Sequence, residues 1–409
     1  MKKISIISVL LCFVMLFSSC SRSEEKTVVA KVGKEKVTLA EFNEEYGFYL
    51  SQYNIEDDTA EDVAEDTESV RQYVIDYLID QKIEKIWAKE LGLSELTDEE
   101  NTELTNDYDE MMDAWLEYFI EEALASDSSL NEEEAKAEGE KRIDEYLEEN
   151  GYSNESFLTY QMELFISQKL FDEITKDISV EDEDVKTAYD ENVASAKAKY
   201  ETSPSQFEKD CLTEGEMIYY VPEGTKRVKH ILTLLEQEDI QAISEKRSEG
   251  DDEEADNLRK EALKKIEAKA QAVLDSLEED GSNFDEVMKE KSEDPGVVNY
   301  PEGYVVTKQG KSYVEEFSNA SLGLKEPNEM TGLIGTDTGY HIIMLVEDVD
   351  AGAIEYDKIK ETLKENMLLT KKQEDYSEKF QEKKDGIKIK IKHKKLRIPK
   401  KTDAITSQE

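Results

Sequence analysis

Positive charge is scarce in this chain. Its 409 residues include 98 Asp and Glu but only 51 Lys and Arg, so the formal net charge is −47 at pH 7. Nucleic-acid binding depends on Lys and Arg that neutralise phosphates, so this composition argues against a nucleic acid as partner. The same charge keeps the protein soluble. The sequence leaves open whether the acidity attracts cationic partners or only solvates the surface.

No metal site and no cofactor are expected from the sequence. The acidic run over residues 251–254 lacks the Asp-x-Asp-x-Asp-Gly order of a calcium loop, so it predicts no specific cation site.

The apolar run over residues 4–17 is too short to span a bilayer comfortably. It follows two lysines and leads into Ser-Ser-Cys, which is typical of a secretory signal peptide, here residues 1–19. Small residues before a cysteine resemble the lipobox of bacterial lipoproteins, in which the cysteine, here Cys20, becomes the lipidated N-terminus, although Phe17 stands where Leu is usual. We therefore predict a lipid anchor, with acyl chains such as palmitate, on the extracytoplasmic face of the cell membrane. The alternative is an ordinary cleaved signal with an incidental cysteine.

Cysteine is sparse as well, with only Cys12, Cys20 and Cys211 in the whole chain. Cys12 lies inside the predicted signal and Cys20 is the predicted lipid site, so Cys211 is left alone. An intramolecular disulfide is then excluded in the mature protein, despite the predicted export. No histidine lies near Cys211 in the sequence, and we interpret it as a packed small side chain.

Only three histidines occur, and two of them adjoin short apolar runs that predict buried strands. His230 precedes Ile-Leu, and His341 precedes Ile-Ile. Either histidine alone is more often a satisfied core residue. A histidine-poor chain that places two imidazoles in the same way points to their joint use.

The segment from about 225 to 347 resembles a parvulin-type peptidyl-prolyl isomerase domain. Four motifs of that family occur in order, namely His-Ile-Leu, a Phe-x7-Ser-x-Asp turn, Phe-x-x-Ala and Thr-x-x-Gly-x-His-Ile-Ile, at 230–232, 284–294, 317–320 and 336–343. The last motif is the most specific. The flanking segments resemble the chaperone arms of extracytoplasmic foldases of the PrsA and SurA type.

The resemblance implies an α+β protein. It would combine a largely helical chaperone domain, discontinuous and built from N- and C-terminal arms, with a parvulin domain whose small antiparallel sheet is flanked by helices. The implied division is a signal peptide, an N-terminal helical arm, an isomerase domain, and a C-terminal helix and basic strand that pack back on the N-terminal arm, at 1–19, 20–221, 222–350 and 351–409.

The resemblance also implies a site. Parvulins use two histidines that face each other on the sheet, a hydroxyl bonded to one of them, and a Cys or Asp nearby. The implied catalytic residues are His230, His341, Asp294 and Thr336, and the implied substrate-binding residues are Phe317, Tyr313 and Thr338. Residues 299–304 replace the family's Gly-Gly-Asp-Leu-Gly and leave Glu302 where an apolar Leu would line the proline pocket. This departure predicts weak or narrowed activity.

Several elements outside these motifs follow from local patterns. A strand–turn–strand precedes a capping box at Thr38 and Glu41, and periodic apolar residues predict helices near 70–91, 98–124, 132–149 and 154–178. Residues 236–252 are predicted to be a helical surface insertion before a helix at 254–277. The alternating residues 386–392 predict an edge strand, whose lysines continue into a basic tail. That tail either touches lipid headgroups or wall polymers or is only solvated.

The function implied by the resemblance is that of a membrane-anchored foldase, which isomerises X-Pro bonds in exported proteins and binds unfolded or newly exported chains. The alternative is a non-catalytic holdase whose isomerase domain is degenerate. A solute-binding lipoprotein is disfavoured, because the charged helical composition does not fit a two-lobed α/β fold. A homodimer is compatible with the architecture, although no heptad pattern indicates one.

Overall fold

The computed structural model describes residues 26–53, 55, 64–150 and 152–396. The predicted signal peptide, the predicted lipidation residue Cys20 and the basic residues Arg397 and Lys401 lie outside the described residues.

Helices dominate the described chain. They are α1 (Leu39–Gln52), α2 (Ala64–Glu90), α3 (Asp98–Ser126), α4 (Glu132–Glu149), α5 (Asn154–Thr175), α6 (Asp182–Thr202), α7 (Pro204–Asp210), α8 (Gln237–Glu249), α9 (Asp252–Leu274), α10 (Phe284–Lys291), α11 (Glu315–Gly323), α12 (Tyr356–Asp385) and α13 (His393–Leu396), with a short 3-10 helix at Pro295–Val297. The strands are β1 (Val28–Val32), β2 (Glu35–Thr38), β3 (Tyr220–Val221), β4 (Lys226–Leu234), β5 (Tyr304–Val306), β6 (Ile334–Gly335), β7 (Gly339–Asp348), β8 (Gly352–Ala353) and β9 (Ile389–Ile391). In the described residues we find no helix whose length and hydropathy would let it cross a bilayer.

The chain divides into two compact units. One unit, hereafter the sheet unit, is Ser179–Leu369. The other, the discontinuous unit, combines the described parts of Met1–Ile178 and Thr370–Glu409. A largely helical discontinuous unit beside one with a small antiparallel sheet confirms the predicted α+β class. The boundaries predicted for the functional domains stay a prediction.

The discontinuous unit contains a three-stranded sheet in the order β2-β1-β9. Val32 of β1 is fully buried and packs in one cluster with Val74 and Ile83 of α2. Thr38 begins α1, where the Glu41 backbone N–H donates to Thr38 Oγ1 at 3.2 Å and the Thr38 N–H donates to the Glu41 carboxylate at 2.6 Å. The predicted capping box is confirmed, and it satisfies backbone donors that the helix leaves free.

Helices α3, α4 and α5 share an aromatic cluster in the same unit. The Trp115 ring lies 5.6 Å from the Phe157 ring and 5.3 Å from the Tyr146 ring. Gly139 of α4 allows a close approach of α3, because a Cβ at this position would lie 3.1 Å from the Ile120 side chain. Large apolar area and close packing therefore stabilise this part of the predicted arm.

The C-terminal part of α12 packs on α2 in the discontinuous unit. The Tyr376 ring stacks with Trp87 at 6.0 Å, and its hydroxyl donates to Glu84 at 2.9 Å. Lys384 pairs with Asp80 at 2.6 Å. Beyond the helix, β9 pairs with β1 and forms the edge of the sheet, so the predicted edge strand is confirmed.

The sheet unit contains a four-stranded antiparallel sheet in the order β5-β4-β7-β6 and a small β3–β8 pair. Successive side chains of a strand point to opposite faces. On one face, Ile231 and Ile342 pack against Phe284 of α10. On the other face, Ile343 packs in a cluster with Phe317 of α11. This second face carries the candidate site.

Residues 236–252 include α8, so the predicted helical character is confirmed. Ile243 of α8 is fully buried in a cluster with Ala262 and Ile266 of α9. Gly250, with φ of +75°, ends α8 in the left-handed conformation that glycine adopts without strain. The segment predicted as a surface insertion therefore also contributes to the core.

Candidate active site

The antiparallel pairing of β4 with β7 brings two histidines together. His230 lies opposite Ile343, and His341 lies opposite Leu232. The two imidazoles are therefore diagonal neighbours on one face of the sheet. Their Nδ1 atoms are 3.1 Å apart, which is a hydrogen-bond distance, and each residue is only 7% exposed.

Hydrogen bonds continue from both ends of this pair. Nε2 of His230 lies 2.9 Å from a carboxylate oxygen of Asp294, and Nε2 of His341 lies 3.0 Å from Oγ1 of Thr336. An ionised carboxylate only accepts, so Nε2 of His230 carries a proton. In a neutral pair, Nδ1 of His341 then donates to Nδ1 of His230, and the Thr336 hydroxyl donates to Nε2 of His341. This proton arrangement satisfies the whole chain of bonds.

His341 is neutral at physiological pH. Its burial and the neighbouring His230 lower its pKa from 6.5 to about 3, against a smaller opposing effect of Asp294. A neutral imidazole can accept the Thr336 hydroxyl and donate to the second histidine, so the shifted pKa fits the hydrogen bonds.

Asp294 is ionised in the same site. Burial opposes its ionisation, but hydrogen bonds from His230, Tyr304 and a backbone amide outweigh this effect and hold its pKa well below the usual range. The Tyr304 hydroxyl donates to Oδ2 at 2.7 Å, and the Gly296 N–H donates to Oδ1 at 3.0 Å. A fixed negative charge therefore ends the chain of hydrogen bonds.

Tyr304 is the site residue that the motifs did not predict. Its ring lies 5.2 Å from the His230 ring. Two effects raise the pKa of its hydroxyl, first its burial and second the hydrogen bond to the negatively charged Asp294. The expected position of Glu302 at the proline pocket stays a prediction. Glu302 is exposed in the turn before β5, and Tyr304, as the first residue of β5, is the side chain from this stretch that reaches the histidines.

An aromatic wall lies beside the histidine pair. Phe317, which is 4% exposed, approaches the His230 ring at 5.2 Å and the His341 ring at 5.4 Å with its plane steeply inclined to both. The half-buried Tyr313 ring lies 5.5 Å from Phe317 and 6.1 Å from Tyr304. The two residues predicted to bind the proline ring are thus neighbours on the face that carries the histidines.

The β6–β7 turn holds the hydroxyl that reaches His341. Thr336 is 1% exposed, and its Oγ1 lies 2.9 Å from the Thr338 hydroxyl and accepts the Thr338 N–H at 3.2 Å. Gly339 must lack a side chain, because a Cβ there would lie 2.1 Å from the carbonyl oxygen of Thr233 on β4. Thr338 therefore orients Thr336, and Thr336 in turn orients the imidazole.

Cys211 lies at the end of α7, outside the histidine network. Burial raises the pKa of its thiol to about 12, so it is protonated at physiological pH. It packs in an apolar cluster with Tyr200 and Phe207, as a small packed side chain would.

The described residues contain no group of three or more His, Cys, Asp or Glu side chains arranged to hold a metal ion. What the site offers is a hydrogen-bonded imidazole pair in which His341 is neutral, a fixed carboxylate at one end, and aromatic surface on one side.

Two protein-family models match the chain. A SurA-like N-terminal domain matches residues 1–123, and a PPIC-type PPIASE (rotamase) domain matches residues 230–347. The second match contains both histidines and the remaining predicted site residues of the sheet unit. The predicted resemblance to a parvulin-type domain is confirmed.

Similar proteins cover between 60% and 97% of the chain. Foldase protein PrsA of Clostridium botulinum strain Hall is 24% identical over 97% of this chain and 98% of its own length. Foldase protein PrsA of Clostridium acetobutylicum is 24% identical over 60% of this chain and 56% of its own length.

Solved structures of similar proteins include one of two SurA-like chaperones of Campylobacter jejuni, at 13% identity and a TM-score of 0.35, covering 90% of this chain and 99% of that chain. PrsA of Bacillus subtilis is 19% identical with a TM-score of 0.23, and covers 91% of this chain and 96% of that chain. The match to PrsA of Streptococcus pneumoniae has 18% identity and a TM-score of 0.28, over 92% and 93%.

Proposed function

We propose that this parvulin-type foldase, which combines a PPIC-type rotamase domain with a SurA-like N-terminal domain, catalyses cis/trans isomerisation of X-Pro bonds in exported proteins and binds unfolded chains. One observation carries the catalytic part of the proposal. A continuous chain of hydrogen bonds runs from Asp294 through His230 and His341 to Thr336, beside the Phe317 ring.

The reaction itself makes modest chemical demands. Rotation about an X-Pro bond meets a barrier of about 18–20 kcal/mol, since the twisted state loses amide resonance. Uncatalysed isomerisation takes tens to hundreds of seconds, which is slow enough to limit folding. No bond between heavy atoms is made or broken. A catalyst therefore needs a pocket for the proline ring and surroundings that favour the twisted amide over the planar one.

The polar residues would act as a fixed electrostatic floor. A neutral imidazole pair has its hydrogen bonds satisfied internally, so His230 and His341 would serve as oriented dipoles and not as a general acid and base. Asp294 would tune the field at the rotating carbonyl. Thr336, supported by Thr338, would keep the pair in one orientation. Preorganised dipoles need no reorganisation when the amide twists.

The apolar residues would bind the proline ring. Phe317 and Tyr313 lie side by side on the histidine face and offer aromatic surface at that position. A twisted amide is less dipolar than a planar one, so apolar surroundings favour it. The sequence suggests that Glu302 weakens such a pocket, but Glu302 is exposed in the turn before β5, where water can solvate its carboxylate. We therefore expect measurable activity.

A protease-coupled assay with a proline-containing peptide tests the catalytic proposal. His230→Ala and Phe317→Ala should each lower kcat/KM by at least about tenfold, because they remove the floor and the ring surface. His393→Ala is a matched control, since His393 belongs to the discontinuous unit. If the wild type and all three variants isomerise the peptide only at the uncatalysed rate, the catalytic proposal is wrong. The alternative, a holdase with a degenerate rotamase domain, would then be favoured.

The chaperone role is supported by the SurA-like N-terminal match and by the PrsA relatives. We propose that clients are unfolded or newly exported proteins. Suppression of aggregation of a reduced, cationic client by the His230→Ala variant, at the wild-type level, would assign client binding to surfaces other than the histidine site. Failure of the wild type to suppress aggregation would contradict the chaperone role.

Membrane anchoring through Cys20 is proposed from the signal-like residues 1–19. Two acyl chains on Cys20 would hold the protein stably at the extracytoplasmic face, whereas one chain binds only marginally. Radiolabelled palmitate should be incorporated into the wild type and not into Cys20→Ser. Equal labelling of both would contradict the assignment.

A further inference from the structure

We infer that Glu208, on α7, is a positioning residue for the candidate site, because it fixes the loop that leads to Tyr313. The inference rests on the proposed isomerase function. Glu208 precedes residues 230–347, the part of the chain that matches the rotamase domain, so neither the motifs nor the family model assign it.

Glu208 is a buried carboxylate that joins the two ends of a loop. It is 1% exposed. Its Oε1 accepts the backbone N–H of Thr307 at 2.8 Å and the Thr307 hydroxyl at 3.0 Å, and its Oε2 accepts the backbone N–H of Ser312 at 3.1 Å. Residues 307–312 lie in the connection between β5 and α11. A single side chain therefore holds this connection where it leaves the sheet and where it approaches the next helix.

The neighbouring residues of α7 and the loop are fitted to the same contact. The Lys311 backbone N–H donates to Oγ of Ser205 at 2.8 Å, and the Ser312 hydroxyl donates to the Ser205 carbonyl at 3.1 Å. A Cβ at Gly310 would lie 1.9 Å from Oε1 of Glu208. Only glycine leaves room for the carboxylate at this distance.

The loop ends at Tyr313, which depends on it for position. The Tyr313 hydroxyl is buried, and within the described residues it has no hydrogen-bond partner. Its ring is therefore held by packing against Phe317 and Tyr304 and by the backbone that precedes it. Loosening of that backbone would move the ring away from Phe317, and a displacement of about 1 Å in a positioning group is enough to weaken binding or turnover.

Glutamine is the informative substitution at this position. Glu208→Gln keeps the shape of the side chain but leaves one acceptor oxygen. The amide NH2 would then face the N–H of either Thr307 or Ser312, which places donor against donor. One end of the loop is released while α7 remains buried. Glu214→Gln is the matched control, because Glu214 is exposed in the segment that follows α7.

The test combines kinetics with binding in the purified full chain. We expect Glu208→Gln to raise KM for a proline peptide about five- to tenfold with kcat within about twofold. The peptide Kd, measured by NMR titration, should rise by a similar factor. The ring signals of His230 and His341 should stay unchanged, since the pair rests on β4 and β7. Glu214→Gln should match the wild type throughout.

A lower melting temperature for Glu208→Gln with wild-type KM and Kd would overturn the inference, because Glu208 would then only stabilise the fold. If Glu208→Gln does not fold, Ser205→Ala removes the acceptor for Lys311 and should raise KM about two- to threefold; an unchanged KM overturns the inference. A wild type without turnover refutes the proposed function, and the peptide Kd then decides the role of Glu208. A wild type that neither turns over nor binds the peptide refutes both.

Discussion

His341 is buried and lies 3.1 Å from a second imidazole, and these two facts lower its pKa to about 3. Its ring should therefore stay neutral where an ordinary histidine takes up a proton. We predict that the Cε1 NMR signal of His341 does not move between pH 7 and pH 5. The chain has only three histidines, so single His→Gln variants assign each signal.

The same shift predicts a pH dependence of stability. The folded pKa of His341 lies below the ordinary value of 6.5, so the unfolded chain binds one proton more between about pH 6.5 and pH 3. Stability then falls as the pH decreases through this window, by about 1.4 kcal/mol per pH unit from this residue. His341→Gln should lack this part of the slope in urea unfolding. A His341 signal that titrates near pH 6.5 would contradict both expectations.

The Tyr304 hydroxyl lies close to both Asp294 and Gly296. The Tyr304 hydroxyl donates to Asp294, and a Cβ at Gly296 would lie 2.0 Å from that hydroxyl. Tyr304→Phe should lower kcat/KM about three- to tenfold, because a hydrogen bond to a charged group is lost. Gly296→Ala should cost about 1–3 kcal/mol of stability through overpacking. The double variant should lose less stability than the two single variants together, because Tyr304→Phe removes the hydroxyl oxygen that the new Cβ would meet.

Additive costs in this cycle would show that the hydroxyl does not cause the crowding at Gly296. Tyr118→Phe is the matched control for the loss of a hydroxyl, because Tyr118 is 62% exposed on α3. It should leave kcat/KM at the wild-type value.

The positions of His230, His341, Asp294 and Thr336 could be predicted because the motifs contain them in a fixed order. Tyr304 could not be predicted in the same way. Its proximity to His230 follows from the register of β5, in which Tyr304 pairs with Val228 of β4. Register is a property of strand pairing, and a single strand sequence does not state it.

At the scale of elements, the α8–α9 hairpin contacts the turn that carries Thr336. Arg247 of α8 donates to both carboxylate oxygens of Asp337, at 2.9 and 3.1 Å, and Asp337 lies between Thr336 and Thr338. Arg259 of α9 is 3.4 Å from the same carboxylate. Bidentate Arg–carboxylate pairs fix geometry as well as adding energy. The hairpin therefore supports the orientation of the Thr336 hydroxyl.

We predict that Asp337→Asn shifts the ring signal of His341 and lowers kcat/KM about two- to fivefold, because the turn loses its charged anchor. Asp252→Asn is the matched control. Asp252 also pairs with Arg247, at 3.1 Å, but its side chain is 75% exposed and does not belong to the turn. If Asp337→Asn and Asp252→Asn change the His341 signal and kcat/KM equally, the loss of a charge near Arg247 is the cause. The anchoring of the turn that carries Thr336 would then have no role.

Helix periodicity predicted α2, in which Val74, Leu78 and Ile83 are buried at helical spacing, and the predicted positions of α4 and α5 are also confirmed. The capping box fixed the start of α1. The contact of α7 with the β5–α11 loop could not be predicted, since Glu208 looks like any acidic residue in a chain with 98 of them. Its burial and its three donors come from tertiary structure. The buried face of α8 could not be predicted for a similar reason, because its few apolar residues, such as Ile240 and Ile243, stand among charged and polar ones.

At the scale of the whole molecule, chain order and compact units do not coincide. Residues Thr370–Glu409 belong with Met1–Ile178, while Ser179–Leu369 form the sheet unit between them in sequence. The resemblance to foldases predicted a discontinuous helical domain, which composition alone did not. Histidine NMR signals can follow the unfolding of each unit, because His230 and His341 lie in the sheet unit and His393 lies in the discontinuous one.

Loss of the Tyr376 side chain should make the discontinuous unit unfold at a lower temperature than the sheet unit. Its ring lies 6.0 Å from Trp87 and 5.3 Å from Phe171, so Tyr376→Ala leaves a cavity between α12 and the N-terminal helices. The cost should be about 2–3 kcal/mol in the discontinuous unit, because Tyr376 is only half-buried. In thermal unfolding followed by NMR, the His393 signal should lose its native position earlier than in the wild type.

The signals of His230 and His341, and kcat/KM at 25 °C, should stay at wild-type values in Tyr376→Ala, because the candidate site draws all its residues from the sheet unit. Tyr118→Ala, which removes an exposed ring from the same discontinuous unit, should change neither transition. If the signals of all three histidines disappear together at the lower temperature, the units unfold as one cooperative body. The prediction that the two units unfold at different temperatures would then be wrong.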